Sequence, residues 1–286
     1  MIQVEGLVFT YPGKNESTIK GLQFTVQSGE IFGFLGPSGA GKTTAQKLLF
    51  GLLKNYEGSI RFDGKDLRKY GRELYNSLGI ALELPRFYPA LSAWENLEYY
   101  RLFYPGYTKR AEDLMKRLGL WKDRKRKLSE YSKGMKMRLN LIRALQHDPA
   151  YLFLDEPTAG LDPIHAAIVK QILFEEAKKG KTIFLTTHNM SLAQDLCQRV
   201  GFLVDGELVE IANPDELRLR HRTSRVMVQY RISDAGSLES QEFSLQGLGT
   251  NVQFQQIIAD DRLERICSIE PDLEEIFLET TGRKLQ

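Results

Sequence analysis

From Met1 to about Arg220, short apolar runs alternate with stretches of helical period, the signal of a parallel or mixed sheet covered by helices. Three runs, Ile31-Phe32-Gly33-Phe34-Leu35, Tyr151-Leu152-Phe153-Leu154 and Ile183-Phe184-Leu185, are continuous rather than alternating. Continuity predicts strands buried on both faces. Each run ends in polar, reactive residues, and in open α/β sheets ligands gather outside the carboxyl ends of the strands. Between roughly Leu84 and His147 the strand signal gives way to helical patterns over Trp94 to Tyr104, Lys109 to Leu118 and Met135 to Leu145. A helical subdomain inserted in the sheet is therefore expected. Phe202-Leu203-Val204-Asp205-Gly206-Glu207-Leu208-Val209 sets Asp-Gly between apolar runs, a strong hairpin signal, and the large domain should close shortly after it.

Beyond the basic stretch Arg218 to Arg225, Val226-Met227-Val228-Gln229-Tyr230 and Val252 to Ile258 read as strands and Asp272 to Thr280 as a terminal helix. The predicted architecture is α/β: a domain over 1–220 with a helical insert at about 84–147, followed by a small α+β accessory domain over 221–286. No repeat or low-complexity segment interrupts it.

Composition narrows the class. With 286 residues, 42% hydrophobic and 27% charged, the chain can bury a proper core in each of two domains and is neither fibrous nor wholly disordered. Lys plus Arg total 39 against 37 acidic residues, far from the basic excess of a dedicated nucleic-acid binder. Cys197 and Cys267 have no metal spacing and fit a reducing compartment. The first residues, Met1-Ile2-Gln3-Val4-Glu5-Gly6, lack a secretory signal, and no apolar run approaches the ~20 residues needed to span a bilayer. Any transport function then needs a separate membrane-embedded partner. Lys122-Asp123-Arg124-Lys125-Arg126-Lys127 carries five positive charges; it reads as a solvated loop or a contact for anionic lipid, and no nucleic acid is expected.

The most specific motif is Gly36-Pro37-Ser38-Gly39-Ala40-Gly41-Lys42-Thr43-Thr44. It satisfies G-x-x-x-x-G-K-[ST] between a buried strand and a helical run. Glycines let successive backbone N–H groups converge on β- and γ-phosphates, and the helix adds its positive end. Lys42 would neutralise phosphate charge and the Thr43 hydroxyl would ligate Mg²⁺; a plain glycine turn needs neither residue. Tyr151 to Leu154 ends in Asp155 and Glu156. Asp155 can hold Mg²⁺ through water, and Glu156 can polarise a water for in-line attack on the γ-phosphate. Leu185-Thr186-Thr187-His188 delivers an imidazole to the same sheet edge, where His188 either donates to the γ-phosphate or satisfies a core hydrogen bond.

Together with Glu130-Tyr131-Ser132-Lys133-Gly134-Met135 and Ala159-Gly160-Leu161-Asp162, these elements resemble the nucleotide-binding subunit of an ABC transporter, from about Ile2 to Glu216. The resemblance implies a P-loop NTPase core of the ABC ATPase type, with ATP and Mg²⁺ as ligands. The family's signature is usually Leu-Ser-Gly-Gly-Gln; the 131–135 segment keeps its serine and second glycine. By this likeness Ser132 and Gly134 would grip the γ-phosphate bound to an opposite subunit, and Asp162 would communicate between sites. Lys133 adds charge there or points to solvent.

Tyr11 matches the aromatic residue that stacks on adenine, or is an edge-strand tyrosine covering the sheet. Glu83 stands where the family usually has glutamine. It still offers oxygen to Mg²⁺ but adds negative charge and loses an amide donor. A carboxylate there is similar to exporter ATPases of the drug-efflux and polyketide-antibiotic type. Arg86 to Leu91 and the helix from Trp94, with Phe87, Tyr88 and Tyr99, correspond to the neighbourhood that receives a coupling helix of the membrane subunit; some of these rings could equally be core. The ending Glu270 to Gly282 looks like the tail of bacterial exporter ATPases. The resemblance thus implies an ATP-hydrolysing subunit that works as a dimer, a homodimer by expectation, on the inner face of the cell membrane with a separate permease. A soluble switch of the same superfamily acting on ribosome, DNA or protein is the alternative, and a small-molecule kinase a weaker third.

Overall fold

The computed structural model describes residues 1–104, 110–221, 225–231, 237–259, 262–269 and 271–283. Lys109, positions 222–224 of the basic stretch and Glu270 lie outside them. The strands are β1 (Ile2–Phe9), β2 (Ile19–Val26), β3 (Ile31–Leu35), β4 (Glu57–Phe62), β5 (Lys65–Asp66), β6 (Leu78–Ala81), β7 (Tyr151–Asp155), β8 (Thr182–Thr187), β9 (Arg199–Val204), β10 (Glu207–Ala212), β11 (Arg225–Arg231), β12 (Leu238–Ser244) and β13 (Leu263–Ser268). The helices are α1 (Lys42–Leu49), α2 (Glu73–Asn76), α3 (Ala93–Arg101), α4 (Arg110–Arg117), α5 (Lys133–Leu145), α6 (Pro163–Lys178), α7 (Met190–Leu196), α8 (Pro214–Arg220), α9 (Val252–Ile258) and α10 (Leu273–Thr281).

The central sheet runs β10-β9-β3-β8-β7-β6, parallel except for the β10 edge. A second, antiparallel sheet runs β2-β1-β4-β5. Each continuous apolar strand splits its side chains between two cores. Phe32, Phe34, Phe153 and Phe184 point toward the antiparallel sheet, where they meet Phe24 and Phe62. Phe34 and Phe184 pack edge to face at 4.8 Å, and Phe24 stacks on Phe32 at 5.5 Å. Ile31, Leu35, Leu152, Leu154, Ile183 and Leu185 point the other way, into an aliphatic core shared with α5, α6 and α7. Burial on both faces removes any need for polar alternation.

The helical insert comprises α3, α4 and α5. Ser92 caps α3 by accepting from Glu95 N–H at 3.2 Å, while the Glu95 carboxylate accepts from Ser92 N–H at 2.7 Å, a reciprocal capping box. Its anchor to the core is ionic. Arg110 at the start of α4 pairs with Asp148 and with the buried Glu176 of α6, and Lys181 reaches the same Glu176 at 3.3 Å. Beside this cluster His147 Nε2 donates to Leu78 O at 2.9 Å, and its ring stacks on Tyr104 at 3.6 Å.

The C-terminal module is an antiparallel sheet, β12-β11-β13, with α9 packed on Val226, Val228 and Phe243 through Phe254. The run Val252 to Ile258 is therefore a helix, not a strand. Its V-Q-F-Q alternation imitates a half-buried strand, yet Val252 is 66% exposed and only Phe254 is buried. Asn251 accepts from Phe254 N–H at 3.0 Å and so starts the helix as its cap. α10 then leaves this module. Leu273, Ile276 and Phe277 join the main core, with the Phe277 ring 5.1 Å from Phe202. The residues after 220 thus divide between two cores.

Replacing Phe277 by Ala should lower stability by about 3 kcal/mol or more, read as a shifted denaturant midpoint of the main unfolding transition. Burial pushes the His147 imidazole down to about 4, helped by Lys181 and Arg110 nearby. Because the unfolded ring protonates near its ordinary value, this contribution is present above about pH 6.5 and is lost as pH falls toward 4. His147→Gln should flatten that slope by about 2 kcal/mol relative to the parent protein, measured by urea unfolding across the window.

Candidate functional site

The Gly36–Thr44 loop leaves β3 pressed against β9. A Cβ at Gly36 would lie 2.1 Å from the Leu203 carbonyl oxygen, whereas Gly39, with φ of +83°, has nothing within 4 Å. Lys42 opens α1 and folds back, donating to Gly36 O at 2.5 Å and Pro37 O at 3.0 Å. Burial lowers its affinity for a proton, partly offset by the carboxylates of Glu156 and Asp155. An ammonium held on two neutral carbonyls is poised to exchange them for an anion.

At the end of β7, register with β8 puts Asp155 opposite Thr186. The Thr186 hydroxyl donates to Asp155 Oδ1, and the Thr43 hydroxyl donates weakly to Oδ2 at 3.4 Å. Burial raises the Asp155 carboxyl above the usual carboxylate range, with Glu156 adding to the effect and Thr186, then Lys42 and Thr43, opposing it. Glu156 adopts φ of +50°, a left-handed conformation costing about 1 kcal/mol for a residue with a Cβ. In this conformation its side chain meets the end of β8. Its Oε1 accepts from His188 N at 2.8 Å and from His188 Nδ1 at 2.6 Å; its Oε2 accepts from Thr187 Oγ1 at 2.8 Å.

Lys42, Thr43, Glu83, Asp155, Glu156 and His188 line one open cavity of about 330 Å³, with Ser38, Gly39, Gly41 and Thr44 completing the loop side. Tyr11 stands outside it, half-buried, its ring edge-on to Phe9 at 4.9 Å and its hydroxyl 3.2 Å from Thr44 Oγ1. Ser132, Gly134 and Asp162 belong to a second surface. Ser132 caps α5, accepting from Met135 N–H at 3.2 Å. Asp162 caps α6, accepting from His165 N at 3.0 Å and His165 Nδ1 at 2.6 Å, contacts that hold its carboxyl below the ordinary range. The two caps meet where Gly134 approaches Gly160: an added Cβ on Gly134 would sit 3.0 Å from the Gly160 oxygen. Lys133 is exposed, and its stem passes within 3.5 Å of a Cβ built on Gly160.

The oxygen donors Thr43, Asp155 and Glu83 suit Mg²⁺, and the buried Asp155 charge gains from a cation beside it. Among the described residues no three His, Cys, Asp or Glu side chains cluster as a metal cage; an ion here would share its coordination with a phosphate ligand, as Mg²⁺ commonly does. Sequence reasoning missed Thr186 and Thr187, which hold the two carboxylates, and Thr18 at the cavity rim. Both β8 threonines stand beside His188 in sequence, but only register reveals their partners.

The ring cluster near Glu83 divides. Phe87 packs on the core under the Arg143 guanidinium at 5.2 Å, while Tyr88 and Tyr99 stay open, rings 4.9 Å apart and hydroxyls 3.3 Å apart. In the basic loop, Arg126 is paired with Asp123 and Glu130.

A two-sheet core, a lysine-threonine phosphate loop after β3, an acidic pair at the end of β7 across β8 from it, and a helical insert with a serine-capped helix define an ATP-binding cassette. The chain belongs to the ABC transporter family, whose members bind ATP and couple its hydrolysis to transport: residues 19–159 match the ABC transporter model. Residues 224–270 match a model described as the fluoroquinolone efflux ABC transporter C-terminal domain. Two fluoroquinolones export ATP-binding proteins of Mycobacterium tuberculosis are 44% identical over 285 residues, covering 100% of this chain and 94% of theirs. Bacitracin transport ATP-binding protein BcrA of Enterococcus faecalis is 34% identical over 237 residues, covering 82% of this chain and 75% of that protein. Among solved structures, an ATP-binding subunit of an ABC transporter superposes with TM-score 0.71 at 25% identity, over 77% of this chain and 92% of that one. A dimeric bacterial ABC transporter cassette gives 0.68 at 27% identity, over 74% and 98%.

Gly36 and Gly39 separate two kinds of glycine requirement. Gly39→Ala should cost about 1 kcal/mol through its dihedral alone. Gly36→Ala must part the loop from β9 and should cost roughly 2–3 kcal/mol and most nucleotide binding, read by chemical denaturation and titration with a fluorescent ATP analogue.

Proposed function

We propose that this chain is the ATP-hydrolysing subunit of a bacterial exporter, closing as a head-to-tail dimer on two ATP molecules and driving a separate membrane permease. The convergence of Lys42, Thr43, Asp155, Glu156 and His188 on one cavity carries this reading. On binding, Lys42 exchanges the Gly36 and Pro37 carbonyls for phosphate oxygens, and the N–H groups of the loop and of α1 cradle the same anion. Thr43 and Asp155, with Glu83 beside them, would hold Mg²⁺, which neutralises charge on the transferring phosphoryl group. Glu156 takes a proton from the attacking water, and His188 donates to the γ-phosphate. Tyr11, next to the first turn of α1, gives adenine a flat face to stack on.

Ser132 and Gly134 are outside this cavity and open to a second copy, which supports their closing on the partner's γ-phosphate, with Asp162 at the junction. ATP then acts as a shared ligand that favours the closed dimer, and hydrolysis removes it. Tyr88 and Tyr99 offer an aromatic surface for a coupling helix of the permease. No described helix is long and apolar enough to cross a membrane, so the permease supplies the path and holds this subunit at the inner face. The relatives are named for fluoroquinolones and bacitracin, and the 44% identity extends through the C-terminal module. Both points favour a drug or antibiotic as cargo.

Glu156→Gln should reduce turnover at least about 100-fold and double the mass seen by light scattering in Mg-ATP. A variant that turns over at the parent rate, or stays monomeric both alone and beside its permease, would overturn the proposal.

A further inference from the structure

We propose that Thr187 is a positioning residue for Glu156, anchoring one carboxylate oxygen throughout the cycle so that the other becomes available to water. The inference rests on the reading of Glu156 as the base. Thr187 is fully buried at the end of β8. Its Oγ1 accepts from Asn189 N–H at 2.9 Å and lies 2.8 Å from Glu156 Oε2. A carboxylate only accepts, so the hydroxyl proton points at Glu156 and the backbone donor fixes the hydroxyl from behind. This is a donor with one orientation, mounted on a central strand rather than on the mobile end of a long side chain.

The two oxygens of Glu156 are held differently. Oε2 is held by Thr187. Oε1 takes two donors from His188, its backbone N–H and its ring Nδ1–H. The His188 side chain is 66% exposed and faces the same cavity as Lys42 and Thr43. If the imidazole swings to a phosphate oxygen, Oε1 loses one of its two donors and gains room for a water, while the Thr187 contact need not change. Without Thr187 the carboxylate can rotate about its terminal torsion, a broad and weakly restrained one, and the water it polarises loses its aim. Position matters here more than affinity, because Thr187 lines neither the phosphate loop nor the cavity.

The test is steady-state ATP hydrolysis by the full chain carrying Thr187→Val, Thr187→Ser, Glu156→Gln, and Glu156→Gln with Thr187→Val, alongside ATP-analogue binding. Thr187→Val keeps the shape and removes the hydroxyl that donates to Glu156 and accepts from Asn189 N–H. It should lower kcat about tenfold or more with KM and analogue affinity within about twofold of the parent. Thr187→Ser, which keeps the hydroxyl, should recover most of the rate. Added to Glu156→Gln, the valine substitution should change the residual rate less than about twofold, because two residues acting as one unit are not additive. Thr187→Ala takes the place of the valine variant if that protein does not fold. An unchanged kcat, a loss of affinity in step with kcat, failure of serine to rescue, or a full additional loss on the Glu156→Gln background would each overturn the proposal. If Glu156→Gln itself turns over at the parent rate, the base assignment fails first; if it is inactive and Thr187→Val is not impaired, only the role of Thr187 fails.

Discussion

One ammonium and two carboxylates, Lys42, Asp155 and Glu156, are withdrawn from water at the carboxyl ends of β3 and β7, beside β8. Charges in that position cost free energy unless each has specific partners, and most of the local structure supplies them. Loop carbonyls hold Lys42, the β8 hydroxyls hold the two carboxylates, and Glu156 accepts a left-handed backbone to reach its donors. The arrangement is compensated without being neutral. Two negative charges against one positive leave a site whose electrostatics improve when a divalent cation arrives with an anionic ligand that Lys42 can grasp. A phosphate anion alone would meet the two acids; with a cation bound between them it completes the charge balance.

The partners can be exact only if the strands cannot slide. Register between β7 and β8 sets Leu154 opposite Leu185 and Asp155 opposite Thr186. A one-residue slip would turn every side chain to the other face, sending Phe184 into the aliphatic core and Leu185 among the aromatic rings. The contrast between these two cores therefore protects the pairing of Asp155 with Thr186. A sheet uniformly lined with leucine would bury as much area and specify register less firmly. Ionic anchoring of the insert through Arg110, Glu176 and Lys181 lies far along the strands from this edge, so the helical subdomain is tied down at the end of the sheet where no chemistry occurs.

Much of this was legible in the chain. The continuous apolar runs, the loop from Gly36 to Thr44, the acidic pair after Leu154 and the hairpin around Asp205-Gly206 each carry a local signal strong enough to stand alone. The antiparallel sheet carries a weaker signal, because β1, β2 and β4 alternate with polar residues, and Ile2 of β1 pairs with Phe62 of β4 far along the chain. The C-terminal module carries the weakest local signal. β12 and β13 are polar and mostly exposed, and α9 alternates like a strand, so no period separates them before tertiary contacts exist. Within the site, residue types were readable and partnerships were not: nothing in Thr186-Thr187 says which carboxylate each hydroxyl serves.

The second surface has its own logic, and it joins the first through a single turn. After Glu156 the chain makes two tight backbone bonds, Ala159 N–H to Glu156 O at 3.0 Å and Leu161 N–H to Thr158 O at 3.2 Å, before Asp162 caps α6. The carbonyl of Gly160, inside that turn, is what a side chain at Gly134 would strike. Hence the serine-capped start of α5 cannot shift toward α6 without meeting the backbone that carries Glu156, and glycine at 134 is what permits their present approach. A ligand gripped by Ser132 and Gly134 would bear on a turn whose other end is the strained Glu156. In the proposed dimer, where the two surfaces would face different copies of the ligand, this turn would make them mechanically one.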